Sequence, residues 1–216
     1  MEGPCEGIRC VKLGAPLLQG LEREGGFRNP WAAGLLRYGE AQGIGWEWLS
    51  ADGCMTKAPP ALQSVGNNPS DRGKKGSKRH LPVDERGVPL SIVVTWANRH
   101  DVTRLGRLPD LAEVERPYIF DTPRHLCLDK GYAGEPALEA VVIGGFIPHV
   151  RGRNGENPGS EENPGGKARR WVVEAAHSWM NRFRKLLVRF EKLNESCLDL
   201  LMFACSFIAF RKAGVI

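Results

Sequence analysis

No two of the six cysteines form a Cys-x-x-Cys pair, and none has the spacing of a zinc site. A zinc module is therefore excluded, and a reducing cytosol of bacterial type is the simplest compartment. The opening MEGPCEGIRC has no apolar stretch, so no secretory signal is expected there. The longest apolar run, Cys197–Phe210, is too short to span a bilayer and carries Asp199. It reads as a core helix, with Cys127, Cys197 and Cys205 as small buried hydrophobes. Glu174-x-x-His177 occurs once, whereas a di-iron carboxylate centre needs two such motifs. Residues 1–45 show no helix-turn-helix pattern, and Gly20, Gly25, Gly26 and Gly34 interrupt any helix pair there.

What is present is a mildly basic chain of 216 residues, with Lys plus Arg at 30 against 25 for Asp plus Glu. That length suits one full domain with a small extension. The cations are clustered in Asp71–His80, Arg151–Arg153, Lys167–Arg170 and Arg182–Lys185, a distribution that fits a nucleic-acid partner. Lys74, Lys75, Lys78 and Arg79 are expected to form a solvent-facing loop that adds non-specific DNA affinity.

Periodicity places a short helix at Trp31–Gln42 and a strand from Trp46 to Cys54 that stops at Asp52-Gly53. Strands at His80–Asp84 and Leu90–Ala97 complete an antiparallel meander, and Pro82 marks an edge or bulge. A helix at Asp101–Glu115, strands at Arg124–Asp129 and Phe146–Val150, and a helix at Glu135–Ile143 follow. Apolar residues recur at steps of three and four through Lys167–Lys192, and Glu195–Lys212 forms the last helix. The order predicts an α/β fold, a mixed sheet with helices on its faces.

In such sheets chemistry sits at strand ends. Asp52 ends the first strand and Asp129 the fourth, and Glu174 lies off the apolar face of the long helix. Three converging carboxylates repel one another unless a divalent cation joins them. Each acid alone has a blander reading: Asp52-Gly53 as a turn, Glu174 in a helical ion pair with Arg170. Asp84 is a rival first acid, but it heads a turn with Glu85-Arg86-Gly87. Trp46, Trp48, Trp171 and Trp179 are expected in the core. Arg99-His100-Asp101 reads as an active-site rim or as a helix start capped by Asp101.

WLSADGCMTKAP, DRGKKGSKRHLPVDERGVPLSIVVTWANRHD, LCLDKGYAG, FIPHVRGR and KARRWVVEAAHSWMNRFRKLLVRFEK together resemble an insertion-sequence DDE transposase of the compact group. That group lacks a large insertion before the last acid. The resemblance runs from about Gly43 to the end. It implies a ribonuclease H-like mixed five-stranded sheet flanked by helices, occupying residues 46–216, after a weakly structured N-terminal remnant at 1–45. It implies Asp52, Asp129 and Glu174 as the catalytic, metal-holding triad for two Mg²⁺ ions, or Mn²⁺. Arg170 matches the family arginine four residues before the glutamate, whereas the family's tyrosine and later lysine positions hold Lys167 and Asn181 here. Lys130, Arg170, Arg182 and Lys185 are candidates for phosphate contacts. The implied partners are transposon ends and target DNA, bound by a homo-oligomer in the nucleoid-associated cytoplasm. The alternative is an inactive, N-terminally truncated copy that retains only non-specific DNA binding, with little preference for its own element's ends.

Overall fold

A computed structural model describes residues 26–99, 114, 123–132, 134–150 and 170–216, with Lys130 described by its backbone alone. The expected helix at Asp101–Glu115, His100, Lys167 and the basic cluster Arg151–Arg153 lie outside them. The elements are α1 (Arg28–Gln42), β1 (Trp48–Lys57), β2 (Gly66–Asn67), β3 (Lys75–Val83), β4 (Val93–Trp96), β5 (His125–Leu128), α2 (Glu135–Ile143), β6 (Ile147–Val150), α3 (Trp171–Asn181) and α4 (Asn194–Lys212).

The expected meander is present: β1, β3 and β4 pair antiparallel, and the two-residue β2 adds to β3. β5 joins β1 in parallel, and β6 joins β5 in parallel. The order β4-β3-β1-β5-β6, with the first three antiparallel and the last two parallel to β1, is that of the ribonuclease H-like fold. β2 makes six strands rather than five.

β1 runs to Lys57, so Asp52 lies inside the strand and not at its end. The Asp-Gly pair turns nothing here, because β3 pairs with β1 along Ser50–Lys57 and holds it extended. β3 in turn begins at Lys75, inside the stretch expected to be a basic loop. Pro82 costs the sheet nothing. β3 pairs with β4 only from Ser77 to His80, and past that point the Pro82 carbonyl accepts from Leu90 N at 3.0 Å.

Helices cover the sheet because each carries one apolar stripe. α3 packs on β1 and β3 through Val172, Val173, Ala176 and Met180, all buried. α4 packs along α1, which buries Trp31, Leu35 and Tyr38 completely in the same core. A Cβ on Gly34 would stand 3.1 Å from the Ala209 Cβ, so glycine is what allows α1 to approach α4 so closely.

The helix expected across Lys167–Lys192 is shorter. α3 stops at Asn181, Phe183 is extended (φ −77°, ψ 98°), and Arg184–Leu186 forms one 3₁₀ turn. No glycine or proline breaks it. The following residues are captured by the sheet edge: Val188 bridges to Lys57, and Arg189 N donates to the Lys57 carbonyl at 2.8 Å. The Arg189 side chain is buried and donates to Ser77 Oγ and to the Ser64, Glu191 and Leu193 carbonyls. Leu187, Phe190 and Leu193 consequently face solvent instead of extending an apolar stripe.

At the end of the sheet where β1, β5 and β6 begin, His125 Nδ1 and His149 Nε2 stand 2.8 Å apart, and Trp48 stacks on His125. Burial, then the neighbouring His125, pulls His149 below the usual histidine range. His177 on α3 is pulled down to about 3, by burial first and then by the Arg79 charge, with hydrogen bonding to the Asp52 backbone acting the other way. Both histidines ionise more readily in the unfolded chain, near pH 6.5. Their contribution to stability is therefore complete above that pH and is lost as pH falls through it toward the folded values. Urea midpoints should drop between pH 6.5 and 5, with a slope of up to about 1.4 kcal/mol per pH unit for each histidine. His177→Gln should flatten that slope; an unchanged slope would contradict a neutral buried His177.

Candidate active site

The parallel register sets the first two acids side by side. Ala51 pairs with Leu128, so Asp52 and Asp129 are the next residues on adjacent strands. β5 stops at Leu128 while β1 continues, so Asp129 stands just past the end of its strand beside Asp52 within β1. A 3₁₀ turn, with Tyr132 N donating to the Asp129 carbonyl at 2.9 Å, carries the chain away. Gly53 N donates to Asp52 Oδ1 at 2.7 Å and fixes that carboxylate.

Glu174 lies in the first turn of α3 on its exposed side, opposite the stripe that packs on β1 and β3. Arg170 precedes that turn and joins two of the acids. Its Nε and Nη2 donate to Glu174 Oε1 at 3.0 and 2.6 Å, and its Nη1 donates to Asp129 Oδ1. The guanidinium is stabilised in its charged form, first by Glu174 and then by Asp129 and Asp52. Two carboxylates from two elements thus pair with one cation, and the charge of Asp52 on β1 adds to theirs. Among the described residues no three His, Cys, Asp or Glu side chains stand close enough together to hold one metal ion; Arg170 occupies the space between Asp129 and Glu174.

Asp84 behaves differently. It is fully buried, and its oxygens accept from Tyr38 Oη at 2.6 Å, Val88 N at 2.9 Å, Arg86 N at 3.0 Å and Gly45 N at 3.4 Å. A carboxylate has about four acceptor positions, so none remains for substrate. Burial, with Asp84 next, pushes the Tyr38 phenol up.

The basic stretch divides. Lys74 and Lys75 are exposed, with Lys74 Nζ 3.7 Å from Asp71. Lys78 and Arg79, expected to face DNA from the same loop, are instead buried in β3. Lys78 Nζ donates to the Arg99 carbonyl at 3.4 Å. Arg79 turns toward α3, donating to Asn181 Oδ1 at 2.6 Å and to His177 Nδ1 and the His177 carbonyl, both at 3.4 Å. Sequence gave no sign of this clamp, because an arginine in a basic run looks like a solvated one. His177 is buried and its Nδ1 accepts from Arg79, while Glu174 is exposed and pairs with Arg170, so Glu174-x-x-His177 is not a shared ligand set.

Arg182 and Lys185 are exposed beyond α3, and the Lys130 side chain lies outside the described residues. Trp46 and Trp179 pack partly buried against the core, but Trp171, also expected there, is 62% exposed beside Arg170.

Residues 49–208 match the family described as the transposase DDE domain. The chain belongs to the DDE transposase family. A relative from Burkholderia cepacia, named "Putative transposase for insertion sequence element IS402", is 37% identical over 131 residues. The match covers 59% of this chain and 60% of that protein, so it spans less than two thirds of the relative's length. Among solved structures, the Mos1 mariner paired end complex with Mn is similar at a TM-score of 0.45 and 12% identity, covering 99% of this chain and 64% of that one. The Mos1 catalytic domain is similar at 0.40 and 10% identity, covering 91% of each chain. Those likenesses are too distant to carry an argument, and the ribonuclease H-like assignment rests on the strand order itself. No described helix of this family member is long and apolar enough to cross a membrane.

Proposed function

We propose that this protein is a transposase that cuts DNA at the ends of an insertion sequence and joins the freed 3′ ends to target DNA. One observation supports the proposal: the Arg170 guanidinium pairs with Asp129 in the turn after β5 and with Glu174 on α3, and Asp52 on the adjoining β1 adds its charge to the same cation. Opposite charges held in one crevice suit a reaction in which negative charge builds on phosphate oxygens. Residues 46–216 form the catalytic domain in this reading, with α1 packed onto it.

The donor set is all oxygen, which fits Mg²⁺ or Mn²⁺. Asp52, Asp129 and Glu174 would hold the ions in place of the guanidinium. When bound, such ions lower the pKa of an attacking water and stabilise the leaving 3′ oxygen. Arg170, relieved of the carboxylates, would turn its forked donors to the scissile phosphate. The β1–β3 pairing and the Arg79 clamp to α3 keep Asp52 and Glu174 at a fixed separation. The test is nicking of a supercoiled plasmid bearing the element's ends, with Mg²⁺, with Mn²⁺ and with chelator.

Exposed Lys74 and Lys75, with Arg182 and Lys185, would position the DNA backbone and carry little base information. Lys74→Gln with Lys75→Gln should lower the slope of log affinity against log salt by roughly 1 to 2. Lys78→Gln, replacing a buried side chain, should change stability and leave that slope in place. An unchanged slope in the first pair would place the β2–β3 connection away from DNA.

A further inference from the structure

Beyond the carboxylates, a cavity of about 520 Å³ opens between the end of α3 and the last turns of α4. Trp179, Phe183 and Phe207 form its aromatic walls, and Arg182, Arg211 and Lys212 supply its charge, with no acidic residue in the lining among the described residues. Phe183 and Phe207 meet edge to face at 5.7 Å. Phe207 is 41% exposed, and Lys212 Nζ lies 4.6 Å from the centre of the Trp179 ring.

We propose that this cavity takes one unpaired nucleotide of the DNA strand leaving the active site: its base stacks on the aromatic walls and its phosphates meet the three cations. The ligand's identity rests on the DNA-processing reading above; the chemistry of the cavity does not. An anion is favoured by three positive charges with no negative one among the described lining residues. A flat ring is favoured by the aromatic walls. In a duplex the bases are stacked inside, so duplex DNA could use the cations but not the rings. Lys212 is no obstacle: an exposed cation–π contact is worth about 0.5–1 kcal/mol, less than the roughly 1–3 kcal/mol of a base stacked on an aromatic side chain.

Position agrees. Trp179 follows Glu174 by five residues, about 7.5 Å along the helix axis and about 140° around it. Exposed Ser178 and Arg182 fall between them at about 40° and 80° around the same surface. A strand bound at Glu174 therefore reaches the cavity over polar and basic side chains within one or two nucleotides.

The test uses the full chain in chelator, so that no cleavage occurs, and a ten-nucleotide single strand carrying 2-aminopurine. Wild-type protein should quench the probe and bind the single strand about tenfold more tightly than the matching duplex. Phe207→Ala should remove the quenching and cost roughly tenfold in affinity. Trp179→Ala should do the same, with its melting curve checked because Trp179 also packs 3.3 Å from the Cβ position of Gly87. Phe203→Ala, also exposed on α4 but outside the cavity, should bind as wild type. Unchanged quenching in Phe207→Ala, or equal affinity for duplex and single strand, overturns the proposal. So does Phe207-dependent binding of a Glu/Tyr copolymer without quenching of the strand, which would assign the cavity to an acidic peptide. Quenching in a protein that never nicks DNA would reject the catalytic reading alone; nicking without quenching would reject only this one.

Discussion

Asp52→Ala, Asp129→Ala and Glu174→Ala should each lower divalent-ion-dependent strand cleavage by roughly a thousandfold or more, since groups that act as one unit fail together. Stability should barely change. Asp129 and Glu174 are 38% and 50% exposed and, among the described residues, pair with Arg170 alone; exposed pairs contribute about 1 kcal/mol or less. Removing one of three neighbouring carboxylates also relieves their mutual repulsion. Circular dichroism and urea midpoints should thus match wild type while nicking disappears. A variant that still nicks would take its residue out of the site. Glu174 is the most informative of the three, because its other reading is a helical ion pair with Arg170, whose loss would leave cleavage unchanged.

Asp84→Ala should do the reverse. Its carboxylate is fully buried and accepts from one phenol and three backbone amides. The substitution leaves the buried Tyr38 hydroxyl and Val88 amide without their acceptor, where each costs about 1–3 kcal/mol, and also removes the part-buried bonds from Gly45 and Arg86. A loss of at least about 3 kcal/mol is expected, lowering the melting temperature by roughly 6–12 °C in a domain of this size. Nicking per folded molecule, measured well below the new midpoint, should persist. Strong loss of nicking with an unchanged melting temperature would reverse the assignment and make Asp84 the chemical acid. Tyr38→Phe removes one donor and keeps the carboxylate, so it should cost much less.

Gly87 shows how one residue can be fixed twice. It turns the chain after Asp84 with φ +81°, a conformation that favours glycine, and a Cβ there would stand 3.3 Å from both Trp179 and Val172. The sequence marks the turn; only the packing shows that α3 lies against it.

Local chemistry determined much of this protein by itself. Alternating and apolar runs placed the meander, the two parallel strands and α4, because strand and helix periods are set by backbone geometry. Spacing singled out Glu174, since a carboxylate off an apolar stripe must face solvent or a crevice. Asp52 and Asp129 stood out from strand order and became neighbours once β1 and β5 paired in parallel. Other features came only with tertiary structure. Nothing in Arg182–Phe190 forbids a helix; α3 ends at Asn181 because Val188 and Arg189 gain sheet bonds to Lys57 and a buried guanidinium site that a helix would forgo. Nothing in Asp71–His80 distinguishes Lys74 from Arg79; pairing with β1 and β4 leaves the first in solvent and drives the second under α3. Trp171 is apolar by composition but falls on the open side of a helix whose other side is already filled by Val172, Val173 and Ala176. In each case a local preference worth a few tenths of a kcal/mol was overruled by burial and hydrogen bonds worth several, and those depend on residues far away in the chain.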